Sequence, residues 1–264
     1  MTTTQFLSEA PLVPLSTTQW WISHVLLASL ALLSLCYCIF VAFRRRQAFP
    51  LYILAGSQLV IFYEIFVDVL GRCQWADEWG FVSAMGRDLP LIANLVYMFY
   101  FPVAITAVNL SLERGFSVRE WWRWAVLGIP LAILFELYPV NNGWWFYYGE
   151  GQPLTIMNYP IWWAFPACLA TLGTGAVIFI VRRYVLRGND WCTIVLFPCI
   201  LIGLHMSMAF PAFITLPTST ELRFTVPAAA ATITISLLVY GIIGTLLSRI
   251  VPLPGRIERT DLSQ

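Results

Sequence analysis

Trp20-Trp-Ile-Ser-His-Val-Leu-Leu-Ala-Ser-Leu-Ala-Leu-Leu-Ser-Leu-Cys-Tyr-Cys-Ile-Phe-Val-Ala-Phe43, followed at once by Arg44, Arg45 and Arg46, decides the fold. A helix needs roughly 20 apolar residues to cross a hydrocarbon layer about 30 Å thick, and this run supplies them without one charge. It is too long for a cleaved signal peptide, has no basic segment before it and is followed by the arginines, so it reads as a retained first span.

Six further runs of similar character follow. The spans are expected at Trp20 to Phe43, Phe49 to Gly71, Leu89 to Ser111, Trp122 to Val140, Tyr159 to Val181, Trp191 to Phe213 and Phe224 to Leu247. In hydrocarbon each unpaired backbone amide or carbonyl costs several kcal/mol, so such runs must be helices or closed barrels, and the alternation of a lipid-facing barrel is absent. Composition agrees: 59% of the 264 residues are hydrophobic and 11% charged, against about 25% charged in soluble chains. The fold class is therefore all-α, a polytopic integral membrane bundle of seven transmembrane helices. Residues 1–19 form an N-terminal segment, 20–248 the bundle and 249–264 a tail.

Arginine sets the expected orientation. Arg44, Arg45, Arg46, Arg114, Arg119, Arg123, Arg182, Arg183, Arg187, Arg249, Arg256 and Arg259 fall on one side of a seven-span chain, and Arg72, Arg87 and Arg223 on the other. Positive charge marks the cytoplasmic side, which places the N-terminus outside and the C-terminus inside, in the plasma membrane.

The groups able to do chemistry gather toward the opposite, non-cytoplasmic side. Glu64 and Asp68, four residues apart in the second span, share one helical face. An acid inside a span must face the bundle, a cavity or a partner. Burial and a like-charged neighbour predict that Glu64 holds its proton, and a neutral acid can donate one. Fixing helix packing through a hydroxyl or amide is the bland alternative for it. Asp88 and Asn94 open the third span, Glu136 ends the fourth in Leu-Phe-Glu-Leu-Tyr138-Pro, Asn158 precedes the fifth, His205 lies in the sixth and Arg223 opens the seventh. His205 titrates near neutrality and suits a proton acceptor, or equally a hydrogen-bonded core histidine. Glu64, Asp68, Asp88, Glu136 and His205 are thus the candidate catalytic residues. Tyr63, Asn94, Tyr97, Tyr138, Asn158, Trp163 and Arg223 are the candidate binding residues, the aromatic faces being suited to steadying positive charge.

Ten tryptophans lie mostly at span ends: Trp20, Trp21, Trp75, Trp79, Trp121, Trp122, Trp144, Trp145, Trp162 and Trp163. An interfacial aromatic belt explains that distribution. The segment from Pro139 to Pro160 is less ordinary, with five consecutive aromatics, and either folds back over the helix mouths as a lid or lies at the interface.

Several functions are excluded. The chain contains no lysine, so a retinal Schiff base cannot form. His24 and His205 are too few for a histidine-rich iron centre, and the six cysteines lack the clustered spacing of a zinc or iron–sulfur site. No phosphate loop or dinucleotide fingerprint occurs, and a net charge of +1 offers no nucleic-acid surface. Neither metal nor cofactor is expected. The partner is a membrane lipid or lipophilic small molecule, and a homo-oligomer is compatible with the sequence.

In size, topology and an acid late in span two, within Leu59-Val-Ile-Phe-Tyr-Glu64, the chain resembles the small seven-span membrane terpene cyclases of meroterpenoid biosynthesis. The resemblance covers all seven spans in architecture, while its local motif is short. It implies a helix bundle in which Glu64 starts cyclisation of an epoxidised or unsaturated prenyl chain. That family also relies on an acid in the last span, and none stands between Phe224 and Leu247, so Glu221 or an acid of another helix would have to serve. A looser similarity links the acidic and aromatic segments to membrane carotenoid-modifying proteins. The reading is a membrane enzyme working by acid/base chemistry on a lipophilic, isoprenoid-type substrate. Two alternatives remain: a carrier, favoured by Pro130, Pro160, Pro166, Pro198, Pro211 and Pro227 as sites of helix breakage, and a receptor or assembly protein, favoured by the small-residue run Gly173-Thr-Gly-Ala176.

Overall fold

A computed structural model describes residues 13–76, 80–84 and 87–252, with the side chains at 80, 81, 84 and 87 left aside. Most of the expected N-terminal segment (1–12), Trp79, the Arg87 side chain, and the tail beyond 252 with Arg256 and Arg259 lie outside the described residues.

Seven helices are long and apolar enough to cross a membrane: Thr17–Arg45, Phe49–Gly71, Leu91–Glu113, Val118–Asn141, Ile161–Leu186, Asp190–Thr215 and Leu222–Ile250. Each expected span is one of them. The ends differ by a few residues because polar caps and strands set the true limits. Ser16 caps the first helix by accepting from the Gln19 amide at 3.3 Å. Arg46, in the left-handed conformation, closes it through its own N–H to the Ala42 and Phe43 carbonyls. The second span tightens to 3-10 geometry at Gln58–Val60, where the Gln58 side chain donates to Leu54 and Ser57. Pro130, Pro198, Pro211 and Pro227 sit inside continuous helices, and Pro160 lies in a short strand, so none of them separates two half-helices.

The fifth span is the most buried of the seven and packs on the third, fourth, sixth and seventh. Small residues permit this. A Cβ at Gly128 would stand 2.7 Å from Cys168 Sγ, and one at Gly175 would stand 3.0 Å from Val108. Gly56 brings the second span against the sixth, since its missing Cβ would lie 2.6 Å from the Ile194 carbonyl oxygen. At the arginine-rich end Arg182 is clasped by Asp190 at 2.8 Å, by Asn109 Oδ1 at 3.2 Å and by the Phe49 ring at 3.6 Å. Four elements are thereby tied together.

The other end is capped by short antiparallel strands. β1 (Cys73–Trp75) pairs with β4 (Trp145–Tyr147), aligning Cys73 with Tyr147 and Trp75 with Trp145. β2 (Gly80–Ala84) pairs with β3 (Arg87–Pro90), and β5 (Thr155–Ile156) with β6 (Tyr159–Pro160). Chain reversal after the fourth span uses Gly143 at φ +74. The long aromatic segment therefore does fold over the helix ends, as a lid built from strand pairs. It is fastened by Gln152 Nε2 to the Gly71 carbonyl at 2.9 Å and by the Tyr148 N–H to the Arg72 carbonyl at 2.9 Å.

This cap corrects the picture of the tryptophans. Trp75, Trp121, Trp144, Trp145, Trp162 and Trp163 are buried, whereas Trp20, Trp21 and Trp122 are exposed as an interfacial belt requires. The Trp144 indole N–H reaches back to Gln19 Oε1 at 3.0 Å, and Trp121 and Tyr240 stack 4.1 Å apart while each hydrogen-bonds the other's backbone carbonyl. Apolar body and polar tip are both used inside the protein.

Candidate functional site

Beneath β1 and β4 two acids from different helices lie within electrostatic reach of each other. Glu136, near the end of the fourth span, accepts hydrogen bonds from the Trp145 indole N–H at 2.7 Å and the Tyr147 hydroxyl at 3.5 Å. The two donors are alternate residues of one strand, so they project from the same side of it. Glu64 hydrogen-bonds the buried Tyr97 hydroxyl, lies in electrostatic reach of Glu136, and has Trp75 beside it. Asp68, one turn on, is almost fully buried at 1% exposure.

Cys73 stands among these three carboxyls. Burial pushes its thiol well above its ordinary value of 9.0, and the charges of Asp68, Glu64 and Glu136 add to the rise. Tyr147 is likewise pushed up by burial and then by Glu136, and Tyr159 by burial and then by Glu136 and Tyr100. These groups hold their protons. A thiol of raised pKa in this position is a poor nucleophile. N-ethylmaleimide at pH 8 should therefore leave Cys73 unmodified in the folded protein and label it after denaturation, as read by peptide mass spectrometry; labelling before unfolding would mean that the cap does not seal this end.

A second group adjoins the first through Trp163, whose ring centroid is 5.5 Å from that of Tyr147 and 5.9 Å from that of His205. His205 Nδ1 is 3.3 Å from the Tyr63 hydroxyl, and its Nε2 is buried without a hydrogen-bond partner. Tyr63 and Phe213 complete the enclosure, with centroids 5.9 and 5.8 Å from the imidazole. Trp163 is held from behind by Gly71, where a Cβ would stand 2.2 Å from the indole.

Of the residues picked from sequence, Glu64, Asp68, Tyr97 and Glu136 form the first group, and Tyr63, Trp163 and His205 the second. Asn94 lies one turn before Tyr97, its Oδ1 buried without a partner. The other four stand apart. Asp88 opens no helix: it is exposed on β3 and accepts from the Ser83 hydroxyl. Asn158 is exposed at φ +65, with Met157 at φ +48, at the turn between β5 and β6; asparagine tolerates that conformation, which is the local reason for its presence. Tyr138 is 47% exposed and packs edge-on to Trp144. Arg223 pairs at 2.6 Å with Glu221 on the surface, and neither of them pairs with Glu64 or Glu136. The acid that joins Glu64 is Glu136, from the fourth span.

Sequence reasoning missed Cys73, Trp75, Trp145, Tyr147 and Tyr159 as site residues. Gly143-Trp-Trp-Phe-Tyr-Tyr-Gly149 carried the usable signal: aromatics between two glycines form a strand, whose alternation sends Trp145 and Tyr147 one way. Glu64 is half-buried, while the exposed Phe62 and Phe66 project from the opposite face of the same helix. Two cavities of about 10 Å³, room for about one water each, open at the arginine-rich end beside Trp121 and Asn109 respectively. Neither borders Glu64 or Glu136.

No family model matches the chain, and neither a curated protein nor a solved structure does.

Proposed function

We propose that the protein is a membrane-embedded enzyme that rearranges or cyclises a lipophilic, isoprenoid-type molecule by acid/base chemistry, without a cofactor, in the manner of the terpene cyclases it resembles. One observation carries the reading: Glu64 and Glu136, from separate helices, lie within electrostatic reach of each other beside a cap whose indoles and phenols supply hydrogen-bond donors and π-faces. Glu64 is the proton donor. Protonating an alkene creates a carbocation, which aromatic faces attract by about 0.5 to 2 kcal/mol each and which a water-poor enclosure protects from capture. Glu136, held by Trp145 and Tyr147, tunes the pair electrostatically, as does Asp68.

The partial exposure of Glu64 supports entry from the side. A lipophile dissolved in the hydrocarbon layer meets the acid without crossing water. The capped end belongs on the non-cytoplasmic side of the plasma membrane, a placement supported by the arginines at the opposite helix ends.

The test begins with mass spectrometry of lipids retained by the purified protein. The retained species are then incubated with wild type and with Glu64→Gln. Product formed by wild type alone supports catalysis; binding by both with conversion by neither means carriage or sensing instead.

A further inference from the structure

We propose that His205, oriented by Tyr63, is the proton acceptor that ends the reaction, and that Trp163 is the surface over which the cation lies between donor and acceptor. The assignment deepens the acid-initiated reading above and rests on it. Its basis is geometric. His205 is 8% exposed, and its Nε2 has no hydrogen-bond partner although Nδ1 is engaged at 3.3 Å by Tyr63. A buried polar atom left unpaired is destabilising, which a histidine serving only to join helices avoids. Three rings, Tyr63, Trp163 and Phe213, enclose the imidazole. Trp163 faces His205 on one side and Tyr147, the partner of Glu136, on another, so the imidazole and the carboxyls border the same indole.

An Nδ1–H donating to the Tyr63 oxygen leaves Nε2 with a bare lone pair, because a neutral imidazole carries one N–H. The Glu64 O–H adds its proton to one alkene carbon, the π pair forming the new C–H bond and leaving the adjoining carbon cationic. After any ring closure, a C–H next to the cationic carbon breaks. Its proton passes to Nε2, and its electron pair becomes the new C=C bond. The imidazolium then returns a proton to the Glu64 carboxylate, so none is consumed. Tyr63 is a positioning residue, its hydroxyl oxygen accepting from Nδ1–H in this arrangement.

The chain has two histidines, which makes the test direct. Protein labelled with ¹⁵N-histidine is placed in phosphatidylcholine nanodiscs, and His24→Gln identifies the remaining signals as those of His205. A bare Nε2 beside a protonated Nδ1 is expected. N,N-dimethylfarnesylamine, whose ammonium stands in for the cationic carbon, should move the Nε2 resonance, in wild type and in Glu64→Gln alike. Its affinity should fall on the order of tenfold in His205→Phe, the worth of one hydrogen bond to a charged donor. Tyr63→Phe should mix the two tautomers, a change that mere loosening of helix packing does not produce. A protonated Nε2, or an amine that leaves it unmoved, overturns the assignment. Conversion of the retained lipid by His205→Gln at the wild-type rate and to the same product overturns it too, while leaving the role of Glu64 standing. Failure of wild type to convert any retained lipid overturns acceptor and donor roles together.

Discussion

Exchanging Glu64 for glutamine is expected to slow conversion of the bound lipid about a thousandfold, within the range of 10² to 10⁴ that a positioned acid contributes. Glutamine keeps the shape of the side chain and its carbonyl oxygen still accepts from Tyr97, so the fold and the retained lipid should be unchanged. What disappears is a proton that can leave. Glu136→Gln keeps an acceptor for Trp145 at the same place and should cost about tenfold, the size of one weakened electrostatic contact. Single-turnover rates on the retained lipid measure both. The reverse order, with the larger loss at Glu136, would make Glu136 the donor and Glu64 the tuning group.

The second large effect is expected at Gly71. Its missing Cβ would stand 2.2 and 2.6 Å from two atoms of the Trp163 ring, which also packs against Tyr147, His205 and Phe213. Gly71→Ala should destabilise the protein by about 1 to 3 kcal/mol, the usual range for an overpacked core, and displace the indole that joins the two halves of the site. Thermal unfolding in nanodiscs reads the loss. Trp163→Phe makes room, so the double variant Gly71→Ala with Trp163→Phe should recover at least about 1 kcal/mol relative to the sum of the single changes. Additive losses would place the strain elsewhere.

The spans were legible because hydrocarbon forces the backbone to satisfy itself, and a run such as Trp20 to Phe43 has only the helix open to it. Glu64 was legible for the same reason: a carboxyl at that depth needs an inward partner. The long-range partners were not. That Glu136 comes within electrostatic reach of Glu64 depends on how the fourth and second spans are brought together, and β1 and β4 pair residues about seventy positions apart, which no local periodicity records. Asp88 was placed at the opening of a helix because acids near span ends read alike whether they enter a helix or lie in a hairpin. The tryptophans were misread for a related reason, since a lipid interface and a capped core both reward an apolar ring with a polar edge.

The pairing of Cys73–Trp75 with Trp145–Tyr147 also makes the surroundings of Glu136 sensitive to length. Inserting a single residue between Gly143 and Trp145 would slip the ladder by one position and reverse the direction of every side chain on that strand. Phe146 would then present to Glu136 in place of Trp145 and Tyr147, and the acid would lose both donors in one step. The loop can thus be lengthened here only in steps of two, so spacing, more than residue identity, limits how this cap can be redesigned.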